Sequence, residues 1–568
     1  MPRRSPRTGA GGGSLGNLVL VLHTHLPWVL GHGRWPHGQD WLHEAAAESY
    51  LPVLRVLDRI VADGGSPKVT IGLTPVLCEM LASEEFRDDF VAYLNERRER
   101  AERDQEEFEA IGNRDAARLA AGWVEFYGSA RKDFVETHGR DLLGAFRRLQ
   151  EGGHLELITS AATHGYLPLL GRDESLEAQV KAGIASYRGH FGRGPRGIWL
   201  PECAYRPAYR WSRPVGPARA WDRPGLEDVL GRNGLRYFFV DTHLVAGGTP
   251  LGTYGDRFED ASPPESRPAT KLSPNEAHAL VTRGRRRVAV LARDPKSSVQ
   301  VWSADYGYPG DGAYLEFHRK KGTGGHRYWR VTARSLALED KAPYNPAAAA
   351  ERVLAHADHF VSTVRDTLRA HRDSAGRPGV VVAPFDTELF GHWWFEGPAW
   401  LEAVLKGLGD EVAPATASEH LLQVPPSSVI TLPEGSWGQG GHHWVWLNDD
   451  TRWVWELVYR AEDSFLDTLR RFGRRRDGDL PRILDQLARE MLLLESSDWP
   501  FLITTVSARD YAIARVREHS GVFDRLLALA RSAGAAPLGR EDAAWLGEIR
   551  ARDSPFPRVD LHWWAGAS

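Results

Sequence analysis

Cysteine is nearly missing from the 568 residues: only Cys78 and Cys203 are present. Two thiols build neither a disulfide framework nor a cysteine-based zinc site, and a reduced cytoplasmic setting is expected. No stretch approaches the ~18 consecutive apolar residues of a membrane-spanning helix. An excess of basic charge is also absent. Lys+Arg number 71 against 75 Asp+Glu, a net charge of −4, so nucleic acid is not an expected partner. Lysine itself is scarce, at nine against 62 arginines, and methionine numbers three; both fit a coding bias better than a function. Internal repeats and sustained heptads are lacking. Residues 1–16 are Arg- and Gly-rich and are expected to form a disordered tail. Arg3-Arg4 hints at an export signal, but the apolar run Leu18–Leu22 is short and ends in His23, so no leader is expected.

What the chain has in quantity is tryptophan, 21 residues of it. An indole offers a flat apolar face with one N–H, which suits a sugar ring or another half-wet surface. Clustering decides between that use and simple burial. Trp437, Trp444 and Trp446 fall in one Gly-rich stretch, GSWGQGGHHWVWLNDD, and Trp393-Trp394 follow Asp386 closely.

Seven short apolar runs recur: Asn17–Leu22, Val69–Leu73, Leu155–Thr159, Gly197–Leu200, Tyr237–Val240, Val288–Ala292 and Val380–Ala383. Most are continuous, as in parallel strands buried on both faces. Amphipathic stretches such as Ala45–Asp63, Leu176–Phe191 and Ala347–Ala370 alternate with them, so an α/β architecture with outer helices is predicted. Residues 81–150 are charged and lack strand signals, which predicts a helical insertion. Residues 244–287 are predicted to be a long loop, Pro- and Ser-rich from 255 onward. From 421 to 568 long helical patterns predict an α-helical C-terminal domain beside a catalytic unit spanning 17–420.

Six of the seven runs end in polar or titratable residues: His23 and His25, Thr163-His164, Pro201-Glu202, Asp241 and His243, Arg293-Asp294, and Asp386. α/β barrels assemble their sites at the C-terminal ends of the strands. Any single polar exit is ordinary, whereas six together describe the mouth of a site. Glu202 and Asp386 stand out because each follows a buried strand among aromatics. Such carboxylates are partly desolvated, and two of them ~5–5.5 Å apart do the work of a retaining glycosidase. Either one alone could equally cap the following helix.

The segments LHTHLPWV, THGYLPLL, GIWLPECAYRP, APFDTELFGHWWFEGPAWL, SWGQGGHHWVWLN and SSDWPF occur in this order. Together they resemble glycoside hydrolase family 57 over residues 17–505, in its branching type. The resemblance implies an incomplete seven-stranded (β/α)7 barrel with a helical insertion and an α-helical C-terminal domain contributing to the glucan groove. It implies Glu202 as nucleophile and Asp386 as general acid/base. It implies substrate contacts by His23, His25, His164, Arg293, Trp302, Gly310, Trp437, Trp446 and Asp498, and a closing role for Tyr254 in PLGTYGDRFED. The implied reaction cleaves an α-1,4 bond of a linear glucan and passes the chain to a 6-hydroxyl, with no metal or other cofactor. An α-amylase or a 4-α-glucanotransferase of the same family is the alternative.

Two other classes compete. His23, His25, His164, His243, Asp241 and Asp386 could be assembled into the zinc site of a barrel deacetylase or amidohydrolase. That arrangement leaves Glu202 and the indoles without a use. A non-catalytic glucan-binding protein would keep the groove but has no need of both carboxylates. His392, His442 and His443 are weaker candidates, and Cys203 fits a small buried packing role.

Overall fold

The computed structural model describes residues 14–217, 220–247, 272–303, 306–426, 428–475, 477–533 and 537–565. The described residues form eleven strands: β1 (Gly16–Thr24), β2 (Val69–Leu73), β3 (Leu155–Ser160), β4 (Gly197–Trp199), β5 (Tyr209–Ser212), β6 (Ala220–Arg223), β7 (Tyr237–Val240), β8 (His278–Val281), β9 (Arg287–Ala292), β10 (Gly379–Asp386) and β11 (Val412–Pro414). The main sheet runs β10-β1-β2-β3-β4-β7-β9-β8, and β11 pairs with the start of β1. All neighbours are parallel except β8 and β9. Every residue of β1, β2, β3, β4 and β7 is buried, which explains why these strands read as continuous apolar runs.

The seven expected runs all become strands, but the sheet does not close into a barrel. Among the described residues no ladder joins β9 to β10. The reason lies in proline. Pro384 sits within β10 and has no N–H to donate, and Pro295 opens a helix, Pro295–Trp302, immediately after β9. The seam is instead spanned by side-chain and single backbone bonds. Asn275 treats Val380 as a strand partner would: its carbonyl accepts the Val380 N–H at 2.9 Å and its Nδ2 donates to the Val380 carbonyl at 3.1 Å. One further bond runs from the Asp294 N–H to the Val382 carbonyl at 2.8 Å.

The long loop expected over 244–287 also needs correction at both ends. Thr242–Ala246 is helical, and β8 with β9 forms a hairpin whose turn is closed by the Arg286 N–H donating to Thr282 Oγ1 at 3.0 Å. The charged run Arg283–Arg287 disguises that turn in the sequence. Tyr254 lies outside the described residues.

Helices cover the outer face of the sheet. Asp173–Phe191 lies against β3 at a spacing only glycine permits, since a Cβ on Gly183 would come within 2.3 Å of the Ser160 carbonyl oxygen. Glu84–Ala110 and Arg114–Lys132 run side by side, capped by Ser83 and Asn113. The first of them buries Phe86, Phe90, Tyr93 and Leu94 along one face. Beyond residue 450 the chain is helical, with Leu480–Leu494 buried almost all round at the centre. Its Arg489 donates to the carbonyls of Pro555 and Phe556 at 2.9 Å and 3.2–3.3 Å. No helix among the described residues is long and apolar enough to cross a membrane.

If Asn275 holds the open seam, Asn275→Ala leaves the buried Val380 carbonyl without a donor. A loss of about 1–2 kcal/mol is expected, read as a lower midpoint in chemical unfolding. An unchanged midpoint would show that the seam is held elsewhere.

Candidate active site

The strand ends place the site. Parallel pairing sets His23 of β1 directly beside Asp386 of β10. His164 follows β3, and Glu202 follows β4. The helix Asp498–Thr505 brings its first residue to the same mouth. These side chains surround a cavity of about 170 Å³, also lined by His25, Arg293, Trp302, Glu388, Trp437, Gly438, Val445, Trp446 and Phe501. Ten of the twelve residues expected from sequence therefore meet. Tyr254 is not described, and Gly310 does not line the cavity. Gly310 ends a short turn, Tyr308–Gly310, that is anchored elsewhere: Tyr308 bonds His359 at 2.7 Å and stacks on His356, both on the helix Pro346–Ala375.

Glu202 is held in a left-handed conformation, with φ 62° and ψ 26°. Such a backbone costs a non-glycine residue about 1–3 kcal/mol and persists only when its surroundings impose it. The imposing partner is Trp437. Its indole N–H donates to Glu202 Oε2 at 2.8 Å, and its backbone N–H donates to the Glu202 carbonyl at 3.1 Å. Trp437 is wedged in turn between Trp199 and Trp302, with ring centroids at 5.0 and 5.6 Å, under the Arg293 guanidinium. Burial pushes the Glu202 carboxyl up to about 8. The Trp437 N–H opposes the rise, Asp386 and Asp498 add to it, and His25 draws it back.

Asp386 has a different environment. It is buried, and its Oδ1 has no hydrogen-bond partner among the described residues. Burial and then the neighbouring Glu388 charge push its carboxyl well above the ordinary range, against the pull of Arg293. Nothing donates to that oxygen, while Glu202 holds an indole N–H. That contrast favours the ionised form at Glu202 and the protonated form at Asp386.

Three imidazoles form a stack among the acids, with His23 beside Asp386 and His25 bonded to Asp498. His164 lies 4.0 Å from His25 and 5.0 Å from His23 between ring centroids, and His23 rests on Trp199 at 4.8 Å. His23 Nε2 and His164 Nε2 share a hydrogen bond at 3.1 Å, and His164 Nδ1 meets Ser497 Oγ at 2.8 Å. Burial first, and the neighbouring imidazoles second, hold His23 and His164 well below the ordinary histidine value, so both are neutral. Burial alone would raise the Asp498 carboxyl, but His25, His164 and Ser496 outweigh it and hold it below its usual range. His25 Nε2 donates to it at 3.0–3.1 Å.

Sequence reasoning missed Glu388, two residues beyond Asp386. Its Oε1 accepts from Tyr50 Oη at 2.6 Å and from the His25 N–H at 3.3 Å, and burial raises its carboxyl to about 7. The available signal was the second acid in the string DTE. His243, His392, His442 and His443 do not line the cavity.

The zinc arrangement does not assemble as expected. Asp241 is paired with Arg293 at 2.9 Å and with His243 at 3.3 Å, outside the cavity lining. His25, His164 and Asp498 do bring ligand-type atoms within 4.8 Å of one another. Those atoms are engaged with each other and with His23, Ser496 and Ser497, as a hydrogen-bonded network.

Comparison with known proteins agrees with this geometry. The family model for glycosyl hydrolase family 57 matches residues 19–433, and the model "1,4-alpha-glucan branching enzyme, C-terminal" matches residues 457–564. A 1,4-alpha-glucan branching enzyme of Thermococcus kodakarensis is 44% identical over 96% of this chain and 78% of its own. The crystal structure of a family 57 branching enzyme from Pyrococcus horikoshii is similar at TM-score 0.88 and 39% identity, covering 98% of this chain and 97% of that one. The α-amylase AmyC of Thermotoga maritima is similar at TM-score 0.80 and 29% identity, covering 97% and 99%. With two acids meeting under a shared indole wall and a family model spanning most of the sheet, the chain belongs to glycosyl hydrolase family 57.

Proposed function

We propose that this protein is a retaining 1,4-α-glucan branching enzyme acting on linear α-1,4-glucan. The observation that carries the reading is the meeting of Glu202 and Asp386 in one indole-walled cavity. In the first half-reaction Glu202, in the ionised form that its Trp437 hydrogen bond favours, attacks the anomeric carbon while Asp386 gives its proton to the departing glycosidic oxygen. The product is a glycosyl ester on Glu202 and a released 4-hydroxyl end. In the second, Asp386 takes the proton from the 6-hydroxyl of an acceptor chain. That oxygen attacks the anomeric carbon, and Glu202 leaves as carboxylate. One ester forms and one breaks, every proton is carried by Asp386, and the configuration is retained. Nothing in this cycle calls for a cofactor.

The remaining residues have roles consistent with the cycle. Asp498, held ionised, stabilises the positive charge that develops on the sugar ring. The neutral imidazoles of His23 and His164, bonded to each other, line the cavity without adding charge that would oppose it. Trp302, Trp437 and Trp446 give the apolar faces of the rings a wall. Arg293 braces Trp437 and, through Asp241, the exit of β7. The resemblance assigns Tyr254 to excluding water as the acceptor.

Transfer rather than hydrolysis is supported by the branching-type relatives over nearly the whole chain and by the match of residues 457–564. The amylase reading rests on the more distant AmyC. A cytoplasmic site of action is supported by two buried cysteines that are not paired with each other.

Incubation with amylose followed by enzymatic debranching should yield new α-1,6-linked chains with few new reducing ends. Many reducing ends would identify an amylase, and altered linear lengths a 4-α-glucanotransferase. Glu202→Gln and Asp386→Asn should each lower turnover at least roughly 10²–10⁴-fold with the fold retained. Near-normal rates in either would overturn the assignment.

Two pH dependences follow from the carboxyl environments. Folded Glu202 keeps its proton to about 8, whereas its ordinary value is 4.5, so wild-type stability falls as pH rises through that window. Glu202→Gln lacks this titration, and its melting temperature relative to wild type should climb from pH 4.5 to pH 8. A constant difference would refute the raised value. Glu388 helps to hold the Asp386 proton, so Glu388→Gln should move the alkaline limb of kcat/KM to lower pH. A limb that stays in place would detach Glu388 from Asp386.

A further inference from the structure

Five residues past the cavity wall, the chain presents an aromatic surface that the reaction described above does not use. Trp393 is half exposed, at 50%, in a protein whose neighbouring Trp394 and Trp400 are fully buried. Its ring is stacked on Phe317, with centroids 4.2 Å apart and planes at 29°. The exposed His318 stands at the edge of Phe317, and the Lys320 ammonium lies 5.6 Å from its centroid. A flat apolar face bordered by an imidazole and an ammonium is the chemistry that recognises a sugar ring, whose C–H face packs on the indole while its rim hydroxyls meet the polar groups.

This surface is tied to the cavity wall through the backbone. The Trp393 N–H donates to the backbone carbonyl of Glu388 at 3.1 Å, and Glu388 lines the cavity. It is also fixed in place by a buried network with no other evident task. Arg327 pairs with Glu48 at 2.8 Å and donates to the carbonyl of His392 at 2.8 Å. His392 bonds Glu48 at 3.3 Å through its ring and Ser49 at 3.2 Å through its backbone. Tyr127 donates to the other Glu48 oxygen at 2.9 Å, and the Trp123 indole donates to the Arg327 carbonyl at 2.8 Å. Gly391 crosses the Glu48 backbone so closely that a Cβ would overlap its carbonyl oxygen, in a φ of +111° that disfavours any side chain. Burying an ion pair is expensive unless geometry and extra hydrogen bonds offset it. Here those bonds converge on His392, the residue before Trp393, and fix the backbone that carries the exposed indole.

We propose that Trp393, backed by Phe317, is a glucan-binding platform outside the catalytic cavity, taking a glucose unit of the same α-1,4-linked chain whose reacting bond lies between Glu202 and Asp386. The proposal rests on the α-glucan reading but not on transfer winning over hydrolysis. The platform makes affinity depend on chain length. A short oligosaccharide fills the cavity alone, and a long chain reaches the platform as well.

The experiment compares long-chain amylose with maltotriose, binding each to full-length protein carrying Glu202→Gln so that no turnover intervenes. Adding Trp393→Ala should weaken amylose binding roughly three- to tenfold, the range of one aromatic stacking contact. It should weaken maltotriose binding less than twofold. Trp393→Phe should restore most of the amylose affinity. Trp393→Gln, which keeps bulk and solubility at the surface, should behave like alanine and serves as the reading if the alanine protein does not fold. No loss with amylose, or an equal loss with both sugars, overturns the platform. Length-dependent loss in an enzyme whose wild type forms no α-1,6 links would sustain the platform and remove the branching reading instead.

Discussion

The double hydrogen bond from Trp437 to Glu202 is the constraint on which the site depends. It fixes a carboxylate at a strand exit by gripping both ends of the residue, side chain and carbonyl. The grip is reinforced three residues on, where Tyr205 and Gly435 exchange backbone bonds at 2.8 and 3.1 Å. Gly435 tolerates that closeness because it has no Cβ, which would lie 2.7 Å from the Gly441 carbonyl oxygen. The left-handed backbone at Glu202 is thus imposed by a segment more than 230 residues away in sequence. Without it, relaxation of the strained turn would turn the carboxylate away from the anomeric carbon, and misplacements of ~1 Å already cost ~100-fold in rate.

The charge arrangement follows from the same packing. Four acids, Glu202, Asp386, Glu388 and Asp498, face a cavity in which, among the described residues, Arg293 is the one arginine and is itself paired with Asp241. Burial would drive all four towards their neutral forms. Donors decide which of them resist: Asp498 has His25 and Ser496, and Glu202 has Trp437, whereas Oδ1 of Asp386 has none. The four differ accordingly: Asp498 is held ionised, Glu388 with donors from Tyr50 and His25 is raised to about 7, Glu202 to about 8, and Asp386 well above its ordinary range. A transition state with positive charge on the sugar and a proton in flight to the leaving oxygen needs both an ionised and a protonated acid.

Much of this was legible in the sequence because parallel strands buried on both faces announce themselves as unbroken apolar runs, and their exits name the residues at the mouth. His23, His164, Glu202 and Asp386 could be read that way. Other features depend on contacts that periodicity does not encode. Asp498 starts a helix far along the chain, and its substrate contact was implied only by the family resemblance. Gly310 was likewise implied only by the resemblance, and its turn is tied to the helix Pro346–Ala375 through Tyr308. The strand β8 is hidden by the arginines of its own hairpin turn. The open seam, by contrast, was present in plain letters: a proline inside the run leading to Asp386 marks an edge strand.

The segment from Asp386 to Trp393 combines these themes in eight residues. It begins with the acid that keeps its proton, continues through the acid that helps it do so, and ends on the exposed indole. Each of its anchors lies on a different part of the molecule: β1 through the register with His23, the helix around Tyr50 and Glu48, and the segment carrying Phe317 and Arg327. A sugar chain lying on Trp393 is therefore registered against Asp386 by covalent continuity and by a rigid buried ion pair. The frame that sets the protonation of the acid also sets how far along the glucan it acts.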